Sequence, residues 1–194
     1  MGYFANSERK REMKKIVLLG DSIRQIGYGT KVPELLGDDY AVWQPNDNCR
    51  FSFYTLRNIQ TWEENINGAD IIHWNNGLWD VSNRYGDGNL VAPEIYVETM
   101  LRIARILKTK AKVVIFATTT PVRPCPEATE DNGDVEAYNA LIVPKLREMG
   151  ILINDLHSVM VGHDEYICDD NVHLSPAGID ACAKAVVKAI KAAE

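Results

Sequence analysis

Lys15-Ile16-Val17-Leu18-Leu19-Gly20-Asp21-Ser22 is the stretch on which the fold turns. Its aliphatic run carries no alternating polar residue, so it reads as a strand buried on both faces and ended by glycine. Similar short apolar runs recur at 40–44, 70–75, 112–118 and 150–154, and no two-residue hairpin turn joins one to the next. Between them helical patterns occupy 27–36, 52–66, 93–108, 134–149 and 175–193. The third is the clearest: Ile95, Met100, Ile103, Ala104 and Leu107 recur at helical spacing behind Pro93, which suits a first turn because it has no N–H to leave unbonded. The last opens with Ser175-Pro176, an N-cap followed by proline at the first helical position.

Strands that alternate with crossover helices must pair in parallel, so the predicted fold is α/β, a three-layer α/β/α sandwich of about five parallel strands. Sites in such sheets lie beyond the carboxyl ends of the strands. The loops starting near residues 20, 45, 75, 119 and 155 are therefore where chemistry is expected. The longest predicted loop, 118–133, contains Pro121, Pro124 and Pro126 and is expected to form part of a site wall.

A length of 194 residues fits one domain. We expect that domain to span 13–194, with residues 1–12 an extension outside the fold. An apolar fraction of 46% and a charged fraction of 25% are those of an ordinary soluble globular protein. With 27 acidic against 21 basic residues the net charge is −6, which argues against nucleic acid as a partner. The one basic cluster, Arg9-Lys10-Arg11 with Lys14 and Lys15, reads as a solvated tail. The apolar run Ile16–Leu19 is too short for a signal-peptide core or a membrane span, so no membrane association is expected. Cys49, Cys125, Cys168 and Cys182 are widely spaced, the pattern of reduced thiols in a cytoplasmic protein. Asp169 and Asp170 are adjacent, but no His, Cys, Asp or Glu set has ligand spacing, so neither a metal nor a cofactor is expected. The oligomeric state stays open, a homo-oligomer included.

Two motifs carry chemistry. Gly20-Asp21-Ser22-Ile23 follows the first strand, and glycine allows a sharp turn that presents a serine hydroxyl and its own N–H at the sheet's carboxyl edge. Asp170-Asn171-Val172-His173, then Leu174-Ser175-Pro176-Ala177-Gly178, follows the fifth strand. A hydroxyl needs a base to accept its proton, and an imidazole serves best when a carboxylate fixes its tautomer. Separation by three residues in a tight turn brings such a carboxylate to the far ring nitrogen.

The combination resembles the SGNH hydrolases, or GDSL-like esterases, over nearly all of the chain from Lys15 onward. The resemblance implies a flavodoxin-like three-layer fold and a triad of Ser22, Asp170 and His173. It also implies an oxyanion hole built from the nucleophile's N–H, a loop N–H and an asparagine side chain. The middle blocks depart from the family's form. In Gln44-Pro45-Asn46-Asp47-Asn48-Cys49-Arg50, spacing favours Cys49 as the loop donor through its backbone, with Asn48 as the alternative. In His73-Trp74-Asn75-Asn76-Gly77-Leu78-Trp79-Asp80, Trp79 stands where the family's asparagine would. Asn75 is then the favoured carboxamide, and Asn76 the alternative, since successive strand side chains point to opposite faces.

Arg24 reads either as a grip on an acidic or hydroxylated substrate or as a helix-surface arginine. Trp79, Trp74 and Tyr28 near the expected mouth can stack on a sugar face or pack in the core. His73 reads as a hydrogen-bonded core histidine, and His157 and His163 as bystanders without a carboxylate at motif spacing. The expected activity is hydrolysis of a carboxylic ester through an acyl-enzyme, with removal of acetyl groups from a carbohydrate or small ester as the preferred substrate class. A lipase or thioesterase, or an inactive carbohydrate-binding relative, are the alternatives. A flavodoxin-like nucleotide site is disfavoured because no glycine-rich phosphate loop is present.

Overall fold

A computed structural model describes residues 13–194; the expected extension 1–12 and most of the basic cluster lie outside the described residues. Five strands, β1 Lys14–Leu19, β2 Tyr40–Trp43, β3 Ala69–Trp74, β4 Ala111–Ala117 and β5 Leu152–Asn154, form one sheet. Every pairing is parallel and the order is β2-β1-β3-β4-β5. Ile16, Val17, Leu18 and Leu19 are fully buried, because β1 is flanked on both edges and covered on both faces.

The predicted helix over 27–36 is instead a π-helical turn, Ile23–Gly27, a 3-10 turn, Tyr28–Thr30, and a short α1, Val32–Leu36. The predicted helix over 52–66 is interrupted, giving α2, Ser52–Asn58, and α3, Glu63–Ile66. Between them the chain turns through 59–62, with the Ile59 N–H on the Thr55 carbonyl and the Trp62 N–H on the Asn58 carbonyl, both at 3.0 Å. The remaining helices are α4 Pro93–Lys108, α5 Asn132–Glu148, α6 Leu156–Met160 and α7 Pro176–Ala192. The buried face of α4 is Tyr96, Thr99, Met100, Ile103, Ala104 and Leu107; Ile95, assigned to it from the sequence, is one step round the helix and exposed. Ser175 caps α7 as expected, its side chain accepting the Gly178 N–H.

Right-handed crossovers place α1 and α7 together on one face of the sheet, and α2, α4 and α5 in series on the other. The connections at the carboxyl edge are thereby brought together, and two of them are long: residues 75–92 after β3 and 118–131 after β4. Among the described residues no helix is long and apolar enough to cross a membrane.

Inside the sheet His73 is fully buried, as the sequence suggested. Its Nε2 lies 3.1 Å from Asn154 Nδ2, and its ring meets that of Tyr28 edge-on at 5.6 Å. Burial pushes its pKa down to about 3, whereas a histidine in the unfolded chain titrates near about 6.5. Between those values only the unfolded chain takes up the proton, so this contribution to stability is complete above about pH 6.5 and is lost on acidification. Urea unfolding of wild type and His73→Gln at pH 7 and pH 5 is expected to show the wild type losing about 2 kcal/mol relative to the variant on acidification. A pH-independent difference would contradict it.

Candidate active site

At the end of β1 the chain passes so close to β3 that a Cβ on Gly20 would lie 1.9 Å from Asn75 Oδ1. Glycine is required there by contact. Asp21 is buried, and its carboxylate accepts the Ile23 N–H at 2.9 Å, which starts the π-helical turn. Burial raises the Asp21 pKa, opposed by the Asn75 amide, the Ile23 N–H and the charges of Arg24 and His173. Ser22 stands between this anchor and the turn, in helical conformation. It lines a cavity of about 570 Å³ together with Asp170 and His173. Neither its hydroxyl nor its N–H has a hydrogen-bond partner among the described residues.

Asp170 and His173 lie in a turn closed by the Asn171 N–H donating to the Cys168 carbonyl at 3.0 Å, with Asn171 at φ 68°. The Cys168 N–H donates to the His173 carbonyl at 2.7 Å. Asp170 Oδ1 accepts the N–H groups of Val172 and His173 at 3.0 and 2.8 Å, while Oδ2 lies 2.7 Å from His173 Nδ1. One carboxylate thus shapes the loop with one oxygen and orients the ring with the other. Burial pushes the Asp170 pKa up, but the two N–H donors and the His173 ring outweigh it and hold it at about 2. With Nδ1 engaged, Nε2 is the ring nitrogen left for chemistry.

Arg123 was not singled out by the sequence, which gives an arginine in a proline-rich loop no distinguishing mark. Its guanidinium donates to the carbonyls of Cys168, Ile167 and Asp164 at 3.1, 2.7 and 2.7 Å and to Asn171 Oδ1 at 3.3 Å. Its own N–H donates to the Asn171 carbonyl at 2.8 Å. The loop after β4 is in this way fastened to the acid–base loop.

The oxyanion assignments made from spacing change. The Cys49 N–H donates to the Gly20 carbonyl at 3.0 Å, and Cys49 Sγ accepts the Gly20 N–H at 3.2 Å. Cys49 is fully buried away from the cavity, and burial raises its thiol to about 11. Asn48, the alternative, lines the cavity with Ser22, and its N–H has no partner among the described residues. Its Oδ1 accepts the Arg50 N–H at 2.7 Å. Asn75 is not brought to the cavity: its Oδ1 accepts the Tyr28 hydroxyl at 2.8 Å and its amide faces Asp21. Asn76 is not brought there either, since it accepts the Trp74 indole N–H at 2.7 Å and donates to the Arg50 carbonyl at 2.8 Å. Both asparagines are themselves buried and held at the base of the loop.

Arg24 is neither a surface arginine nor a cavity residue. It is almost fully buried and donates to the carbonyls of Pro45, Gly20 and Asp47 at 2.8, 3.0 and 2.6 Å, which pins the loop after β2 against the serine turn. Trp79 does line the cavity, with the Arg84 guanidinium 5.7 Å from its ring centre. Trp74 and Tyr28 are core residues. His163, read as lacking a carboxylate, has Glu165 at 2.8 Å and stacks on Tyr166, outside the Ser22 cavity. Among the described residues no group of three or more His, Cys, Asp or Glu could hold a metal ion.

The sheet order with a serine turn after its first strand is the fold of the GDSL-like, or SGNH, hydrolases. The chain superposes on a GDSL-like lipase from Bacteroides thetaiotaomicron with a TM-score of 0.75 at 19% identity, over 93% of this chain and 89% of that one. A lipase/acylhydrolase from Enterococcus faecalis gives 0.75 at 20% identity over 93% and 96%. An acetylxylan esterase from Geobacillus stearothermophilus gives 0.71 at 19% over 93% and 96%. No family model and no curated sequence matches the chain.

Because Asn75 Oδ1 is fixed by Tyr28, Gly20→Ala is expected to lower stability by roughly 1–3 kcal/mol, the usual cost of overpacking a filled site. Urea denaturation would measure it, and an unchanged midpoint would show that Asn75 can move aside.

Proposed function

We propose that the protein is a serine esterase that removes a short acyl group, most simply acetyl, from a polyhydroxylated alcohol. The observation that carries the reading is the Asp170–His173 pair, 2.7 Å apart, on the wall of the cavity that Ser22 also lines. In this scheme Ser22 Oγ attacks the ester carbonyl as His173 Nε2 takes its proton. Asp170 keeps the ring oriented and offsets its developing charge. The N–H groups of Ser22 and Asn48 receive the oxyanion, His173 protonates the departing alcohol, and water repeats the cycle on the acyl-enzyme.

Substrate class follows from the cavity lining. Asn48, Ser82, Arg84, Glu127, Thr129 and Glu130 stand on its walls, and a long acyl chain laid there would desolvate charged groups without recompense. Hydroxyl groups on the alcohol portion would pair with them instead. The apolar contribution from Leu78, Val122 and Val172 is enough for a small acyl group. Likeness to an acetylxylan esterase agrees with this choice, and likeness to GDSL-like lipases leaves the ester chemistry the same. Four free cysteines suit a reducing compartment such as the cytoplasm.

Hydrolysis of p-nitrophenyl acetate tests the reading. Ser22→Ala should lower kcat by several orders of magnitude, as loss of a triad nucleophile does; equal rates for the two proteins would leave a binding protein in its place. Asp170→Asn keeps an oxygen for the Val172 and His173 N–H groups but removes the charge and the correct tautomer, so kcat should fall by about 10⁴ with little change in unfolding midpoint. Since Asp170 is held at about 2, its protonation should add no acid limb to the rate profile above about pH 4.

A further inference from the structure

Beyond Trp79 the cleft continues. Trp79, Ser82 and Arg84 line both the Ser22 cavity and a second one of about 460 Å³, whose other walls belong to residues 85–90. The shared Trp79–Arg84 pair is therefore a partition between two adjoining compartments.

The segment that walls the second compartment is held in shape. The Leu90 and Val91 N–H groups donate to the carbonyls of Ser82 and Asp80 at 2.9 and 3.0 Å, and the Gly88 N–H donates to Asn83 Oδ1 at 3.2 Å. Asn89 Nδ2 donates to the Tyr138 hydroxyl at 3.3 Å, which donates to the Val91 carbonyl at 2.6 Å. The Asn83 N–H reaches the Thr129 carbonyl at 2.7 Å, tying the segment to the wall of the Ser22 cavity. On this fixed frame Tyr85 is 84% exposed. Packing gives no reason for an aromatic ring to stand so far into solvent beside a cavity.

We propose that the second compartment is a sugar subsite, which holds the pyranose unit next to the one carrying the ester. Tyr85 and Trp79 line it with aromatic rings that can stack on the C–H face of a pyranose, and Asp87, Arg84 and Asn89 line it with planar acceptors and donors for hydroxyl groups. A hydrocarbon chain would meet the same charged groups at a desolvation cost. The inference rests on the esterase reading and extends it: the enzyme would act on an acetylated oligosaccharide in preference to a monosaccharide, with the added binding energy coming from the 79–90 segment.

The test compares acetyl release from monosaccharides and tetrasaccharides of acetylated xylo-, gluco- and N-acetylglucosamine series, with p-nitrophenyl acetate as the short ester. For at least one series, wild-type kcat/KM should be about tenfold or more higher for the tetrasaccharide. Tyr85→Ala should lower the ratio of tetrasaccharide to p-nitrophenyl acetate kcat/KM by about tenfold, the loss of one aromatic contact. Ser22-dependent cleavage of p-nitrophenyl acetate with no chain-length preference in any series would overturn the subsite and leave the esterase reading standing. Calorimetric titration with the unacetylated tetrasaccharides reads the subsite without turnover. Binding weakened at least tenfold by Tyr85→Ala supports it, and no binding, or equal binding by both proteins, overturns it.

Discussion

The Gly20 carbonyl accepts two donors, the N–H of Cys49 and the guanidinium of Arg24, while the Gly20 N–H is taken by the Cys49 sulfur. Gly20 follows the end of β1, an interior strand of the sheet, and buried backbone groups at a strand end must be paired by something other than the ladder. The pairing chosen fastens the loop after β2 to the turn carrying Ser22. Arg24 extends the clasp to Pro45 and Asp47, so a side chain two residues past Ser22 helps fix where Asn48 stands. A buried guanidinium is tolerated because three backbone carbonyls surround it; removing it would take the donor from Pro45 and Asp47, at about 1–3 kcal/mol for each acceptor left without a partner, while Gly20 would keep the Cys49 N–H. Ser22 and the N–H groups near it are thus set by one small network built around a position where any Cβ would crowd Asn75.

A second arginine does the same for the other half of the site. Arg123, from the loop after β4, donates to three carbonyls of the 164–168 segment and to Asn171. Asp170 completes the frame from within, since one of its oxygens holds the Val172 and His173 N–H groups and the other the His173 ring. The residues of the candidate site stand on loops, but each loop is stiffened by charge-assisted bonds to backbone, which keeps the His173 ring and Ser22 on one cavity.

The sheet was legible because burial on two faces leaves a continuous apolar run, and β1, β3 and β4 show it. Short elements were less so: α2 and α3 were read as one helix because nothing in their apolar spacing announces the turn at 59–62 that separates them. Asp170 and His173 were legible as a pair because their contact is local, three residues within one turn. The donors around Ser22 were not. Cys49 and Asn48 differ by one residue, and which of them faces the cavity depends on whether Gly20 claims the Cys49 N–H.

By itself, then, the sequence determined the parallel α/β architecture, a consequence of hydrophobic period, and it placed a serine at the first strand's end and a carboxylate and imidazole three residues apart, which were read together through their resemblance to the SGNH hydrolases. The tertiary structure alone decided the rest. It turned Asn75 toward Tyr28 and Asp21, drew Arg24 into the core, gave Arg123 its place on the acid–base loop, and set Trp79 and Arg84 between two compartments. Most of these outcomes are contacts between segments tens of residues apart. A polar side chain's role depends on which of many available partners folding brings within about 3 Å, a distance that no local pattern encodes.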